Sequence, residues 1–179
     1  MAGFVEKGAD SPASQDVGRE LARIEAAMVA GETDIAALGF WRVVGRVKRY
    51  PGLIERYADV VGRIDRAAFE AGVRLRVPVW VGNTVLLTGA LFGAAAALVG
   101  LRAADPTVAG LALLVAGVTW ITTLHCPAHW VVGRLAGIGF TWYFLGGPAP
   151  PRPGLKTDYA TYLRADQMKR SWMHARSRP

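Results

Sequence analysis

The chain has 1 cysteine in 179 residues, Cys126. A single thiol excludes a disulfide framework within one chain. Histidine is almost as scarce, with 3 copies, His125, His129 and His174. That is too few ligands for the multi-histidine di-iron oxidases and desaturases. The opening MAGFVEKGADSPASQ has no basic stretch leading into an apolar core, so it does not read as a signal peptide. Zinc-finger spacing, RNA-binding signatures and a Ser-His-Asp ordering are all missing. GGPAPP at 146–151 lacks the lysine and the strand–helix context of a phosphate-binding loop. Charge, too, is missing from the whole stretch 77–101.

What is present is apolar and basic. Apolar residues make up 52% of the chain, with a mean hydropathy of +0.24. The 21 Lys and Arg against 14 Asp and Glu give a net charge of +7 and a pI of about 10.1. Such basicity suits nucleic acid or an anionic membrane surface. The apolar middle third favours the membrane, so lipids are the expected partner and nucleic acid is not. Four regions follow from the composition shifts: a disordered start at 1–14, a helical region at 15–76, a membrane region at 77–147 and a basic tail at 148–179.

In the first helical segment, 15–31, Val17, Leu21, Ile24 and Met28 fall on one face. Ser14 or Asp16 suits its cap and Gly31 its end. A second helix is predicted over about 33–49, with Ile35, Leu38, Trp41, Val44 and Val47 as its apolar stripe. YPG at 50–52 breaks it. A third is predicted over about 52–73, and a short tail helix over about 158–172. The N-terminal helices are the natural docking element for a protein partner.

The expected fold class is an all-α membrane protein with two transmembrane helices, at 77–101 and 107–126. Each is long enough to cross a hydrocarbon core, which takes roughly 20 helical residues. Gly89, Gly93 and Ala97 stand four apart, a pattern that lets another helix approach closely. Basic residues crowd both flanks, while the connection at 102–106 has only Arg102 beside Asp105. The positive-inside rule then puts both termini in the cytoplasm, with the chain in the plasma membrane, the inner membrane if the source is bacterial. An even number of crossings follows. The apolar stretch 128–146, which includes Arg134, becomes a third, partly inserted segment of helix and strand.

His125 and His129 are four residues apart, so on a helix they share a face. Two imidazoles at this spacing can hold one transition metal, as in H-E-x-x-H, where the Glu activates zinc-bound water. Here Cys126 stands in the place of that Glu. The stretch HCPAHWVVGRLAGIGFTWYFLGGPAPPRPGLK, 125–156, resembles the first active-site segment of the site-2 protease family of intramembrane zinc metalloproteases. In that family the motif leads a membrane helix, and a stretch like Gly133–Ile138 and an extended segment like Phe140–Pro148 follow it. The resemblance implies zinc as cofactor and His125 and His129 as ligands. It also implies a catalytic Glu and a third, aspartate ligand in a later membrane helix, and this chain supplies neither at a matching position.

Three readings of the pair stand open at this level. They are interfacial histidines bonded to water or headgroups, a metal site of His125 and His129 with Cys126 as a third donor, and a working protease completed by another chain. The favoured expectation is a membrane protein that resembles a metallopeptidase but lacks catalysis, a pseudoprotease with a zinc-binding histidine pair. A structural subunit of a larger membrane assembly is the remaining alternative.

Overall fold

The computed structural model describes residues 12–146 and 152–176. Most of the expected disordered start therefore lies outside the described residues, although α1 (Pro12–Val29) begins before Gln15. The remaining helices are α2 (Phe40–Arg49), α3 (Pro51–Gly72), α4 (Val79–Arg102), α5 (Pro106–Leu135) and α6 (Tyr159–Arg176). Three strands, β1 (Leu75–Pro78), β2 (Phe140–Gly146) and β3 (Arg152–Thr157), form one sheet in the order β1-β2-β3. The chain is mostly helical with two apolar helices of crossing length, and the sheet is an addition to the all-α expectation.

Two compact units divide the chain. The first comprises residues 1–74, 137–139 and 157–179. Its core joins one face of each of four helices. Val17, Leu21 and Ile24 of α1 are buried, as their spacing foretells. On α2 the buried residues are Phe40, Val43, Val44 and Val47. Val44 and Val47 belong to the expected stripe, and Ile35 and Leu38, in turns, pack against the same core, but Trp41 is 47% exposed and Phe40 and Val43 take its place. Gly39 sits at φ 82, a left-handed conformation that suits glycine and ends the turns. The helix therefore starts afresh at Phe40, and its phase is set from there.

Tyr50 is extended and Pro51 takes the first helical position of α3, which separates α2 from α3. Leu163 and Ala160 of α6, in the tail, are part of the same core. Gly62 of α3 makes room for this contact. A methyl group there would lie 2.9 Å from the Ala160 Cβ and 3.1 Å from its backbone nitrogen. Tyr57 Oη donates to the Ser14 carbonyl at 3.0 Å and ties α3 to the first turn of α1. Exposed ion pairs such as Arg164–Asp59 at 2.6 Å ring the core. Exposed pairs of this kind contribute about 0–1 kcal/mol each.

The second unit comprises residues 75–136 and 140–156. Asp105 caps α5 by accepting from the N–H groups of Thr107 at 2.8 Å and Val108 at 3.0 Å. These bonds hold its exposed carboxyl below the ordinary range. Pro106 follows at the first helical position. α4 and α5 run antiparallel. Side-chain-free positions on α4 face α5 in descending register, with Gly100 against Leu113, Gly93 against Trp120 and Gly89 against Thr123. The Trp120 indole donates to the Ala90 carbonyl at 3.0 Å. Hydroxyls of Thr84, Thr88, Thr122 and Thr123 bond back to carbonyls three or four residues earlier, so these groups are satisfied within their own helices.

α5 runs 30 residues without interruption, past the expected end at Cys126. Pro127 lies inside it and is buried, so the proline does not end the helix. The first part of the stretch 128–146 completes α5, and Phe140–Gly146 forms β2. β1 pairs antiparallel with β2, with Leu75 opposite Leu145 and Pro78 opposite Trp142.

Candidate functional site

His125 and His129 come together. Both sit on α5, both are exposed, and their ring centroids are 4.7 Å apart at an interplanar angle of 78°. A continuous helix through Pro127 is what places them on one face. Cys126 is half-buried. One residue along a helix lies about 100° round the axis, so its thiol leaves the face of the imidazoles. Among the described residues no group of three or more His, Cys, Asp or Glu is placed to hold a metal ion. The expected donor set of His125, His129 and Cys126 therefore does not assemble as one cluster. The third histidine, His174, falls where the structure describes no side chain.

The donor chemistry fits half of a zinc site. Zinc in proteins takes four ligands from imidazole, thiolate or carboxylate, and catalytic sites leave one position to water. Two imidazoles on one face supply two of these, and the others must come from water or from outside the described residues. The described residues bring no carboxylate to the pair to act as general base. Asp158, the only acidic residue between 106 and 165, is used elsewhere. It accepts from the Ala160 N–H at 3.1 Å as the cap of α6 and lies 3.3 Å from Arg66.

A second cluster lies on the Cys126 side, and the sequence reading passed over it. Tyr143 Oη on β2 donates to Asn83 Oδ1 on α4 at 2.7 Å. Gly82 makes this possible, since a methyl group there would overlap the Tyr143 ring. Burial holds the Tyr143 phenol above the ordinary tyrosine range, and the nearby Cys126 adds to the shift in the same direction. The available signal was Asn83 itself, an amide in a segment otherwise apolar or hydroxylic. Beside it, the Arg76 guanidinium lies over the Trp142 ring, 5.4 Å from its centroid. Gly133 of α5 likewise leaves space for the Phe140 ring that begins β2.

The chain matches no protein-family model, no curated protein and no solved structure.

Proposed function

We propose that the chain is an integral membrane protein without peptidase activity, held in the bilayer by the α4–α5 hairpin with both termini in the cytoplasm. The observation that carries this reading is the side surface of the hairpin. Leu91, Phe92 and Val85 of α4 and Leu111, Leu114 and Ile121 of α5 are each more than half exposed. In water a contiguous surface of this kind is a severe liability. In lipid it is the ordinary exterior of a spanning pair, and the small-residue seam between the helices is an ordinary interior. The 24 residues of α4 extend about 36 Å and the 30 of α5 about 45 Å, against a hydrocarbon core of about 30 Å. The uneven distribution of basic residues supplies the orientation. Alkaline carbonate extraction tests the reading: the protein stays in the membrane pellet. Release into the supernatant overturns it.

The histidine pair supports a second element of the proposal. His125 lies about 29 Å along α5 from Pro106, so the pair sits at the far boundary of the hydrocarbon, where an ion and water can reach it. We assign His125 and His129 there as joint ligands of one zinc ion. The resemblance to site-2 proteases favours this metal, and the absence of a neighbouring carboxylate among the described residues favours a bound ion over hydrolysis. Detergent-purified protein contains near-stoichiometric zinc, and the His125→Ala/His129→Ala variant loses it while remaining in the membrane. Equal zinc in both proteins discards the metal site and leaves the membrane reading intact.

A further inference from the structure

We propose that the outer face of α2 docks the first unit onto an anionic bilayer surface. The inference rests on the membrane reading above and adds a specific contact to it. Four basic residues, Arg42, Arg46, Lys48 and Arg49, and no acidic residue occupy the 10 residues of α2. The neighbouring helices are balanced: α1 has Asp16, Glu20 and Glu25 against Arg19 and Arg23, and α3 has four acidic residues against three basic. Phe40, Val43, Val44 and Val47 fix the inner face of α2 in the core. Helical geometry then leaves Trp41, Arg42, Gly45, Lys48 and Arg49 as one outward strip.

The members of this strip differ in how they are held. Arg46, at its margin, pairs with Glu20 at 2.7 Å. Lys48 lies over the rings of Tyr159 and Tyr162, at 5.4 and 5.0 Å. Arg42 and Arg49 are exposed and make no ion pair among the described residues. Trp41 is 47% exposed at one end of the helix, and Tyr50 is 59% exposed at the other. Guanidinium groups bind phosphate through charge-assisted hydrogen bonds, and Trp and Tyr settle at headgroup depth. Charge complementarity thus selects an anionic phospholipid surface as the partner. Only six residues, 73–78, separate α3 from α4. Four of them form β1, paired with β2, so the connection is short and keeps α2 at high effective concentration near the bilayer.

Gly45 offers a place for a probe, since nothing lies within 4 Å of a Cβ built there. The full chain carrying Cys126→Ser and Gly45→Cys is labelled with an environment-sensitive fluorophore. It is then reconstituted in vesicles of phosphatidylcholine alone or mixed with phosphatidylglycerol. The expected result is a blue shift in the mixed vesicles only, reversed by high salt and lost in Arg42→Glu/Arg49→Glu. A label at Arg19→Cys on α1 does not shift. Arg42→Gln/Arg49→Gln gives the same loss with a smaller perturbation, and far-ultraviolet circular dichroism verifies that both variants keep their helices. Equal emission in the two lipids, or a shift that survives both charge variants, overturns the proposal. A shift produced by soluble polyglutamate but not by phosphatidylglycerol overturns it in favour of an acidic protein partner. Vesicles are first floated at alkaline pH. Failure to float defeats the membrane reading, whereas flotation with a silent probe defeats the docking face alone.

Discussion

Phe40→Ala lowers the stability of the first unit by about 3–5 kcal/mol, the usual cost of removing a large aromatic from a packed core. Phe40 is 0% exposed and is the largest of the fully buried side chains. Its ring meets the edge of Trp41 at a centroid distance of 5.0 Å and lies among core residues of α1, α2 and α3. Removing it opens a cavity where these helices meet, and the short breaks at Gly39 and Tyr50–Pro51 leave α2 little freedom to close it. A domain of this size has about 5–15 kcal/mol in total, so the loss is a large share. The measurement is urea unfolding in mild detergent, followed by amide exchange of α1 to α3. Trp41→Ala, at a half-exposed neighbour, has a smaller effect. A loss below about 1 kcal/mol for Phe40→Ala means that the core repacks and that Phe40 does not organise it.

Leu91→Arg shifts insertion of α4 against the bilayer by roughly 3 kcal/mol, from a slightly favourable to a strongly unfavourable contribution at mid-helix. Leu91 is at the midpoint of α4 and is 71% exposed, so in the proposed spanning arrangement the new guanidinium faces lipid rather than α5. Snorkelling is least effective there, because both interfaces are equally distant. Co-translational insertion scored with glycosylation tags on either side of α4 reads the change. Leu91→Ala, which removes no polar group and adds none, leaves insertion nearly unchanged. If Leu91→Arg inserts as well as the parent, α4 does not cross at its centre, and the proposed topology fails.

The sequence alone determined the features that depend on local composition. A run of about twenty uncharged apolar residues strongly favours an uninterrupted apolar helix, so α4 and the first part of α5 were legible to within a few residues. The face of α1 was legible for the same reason, because Val17, Leu21 and Ile24 repeat at helical spacing with no interruption. The placing of His125 and His129 on one face needed nothing more than their spacing. The tertiary structure decided what depends on partners distant in the chain. The phase of α2 turned on Gly39, whose left-handed backbone restarts the helix, and apolar spacing carries no mark of such a reset. The union of α6 with α1–α3 depended on Gly62 and Ala160 fitting together across 98 positions, a close approach that neither segment records by itself. The sheet arose because β1 supplies an edge for β2, and Tyr143 found Asn83 because Gly82 left room for its ring. The same rule governs the candidate site. Spacing along one helix paired the two imidazoles, but helical geometry turned Cys126 away, and assembling a third ligand is a matter of packing between elements.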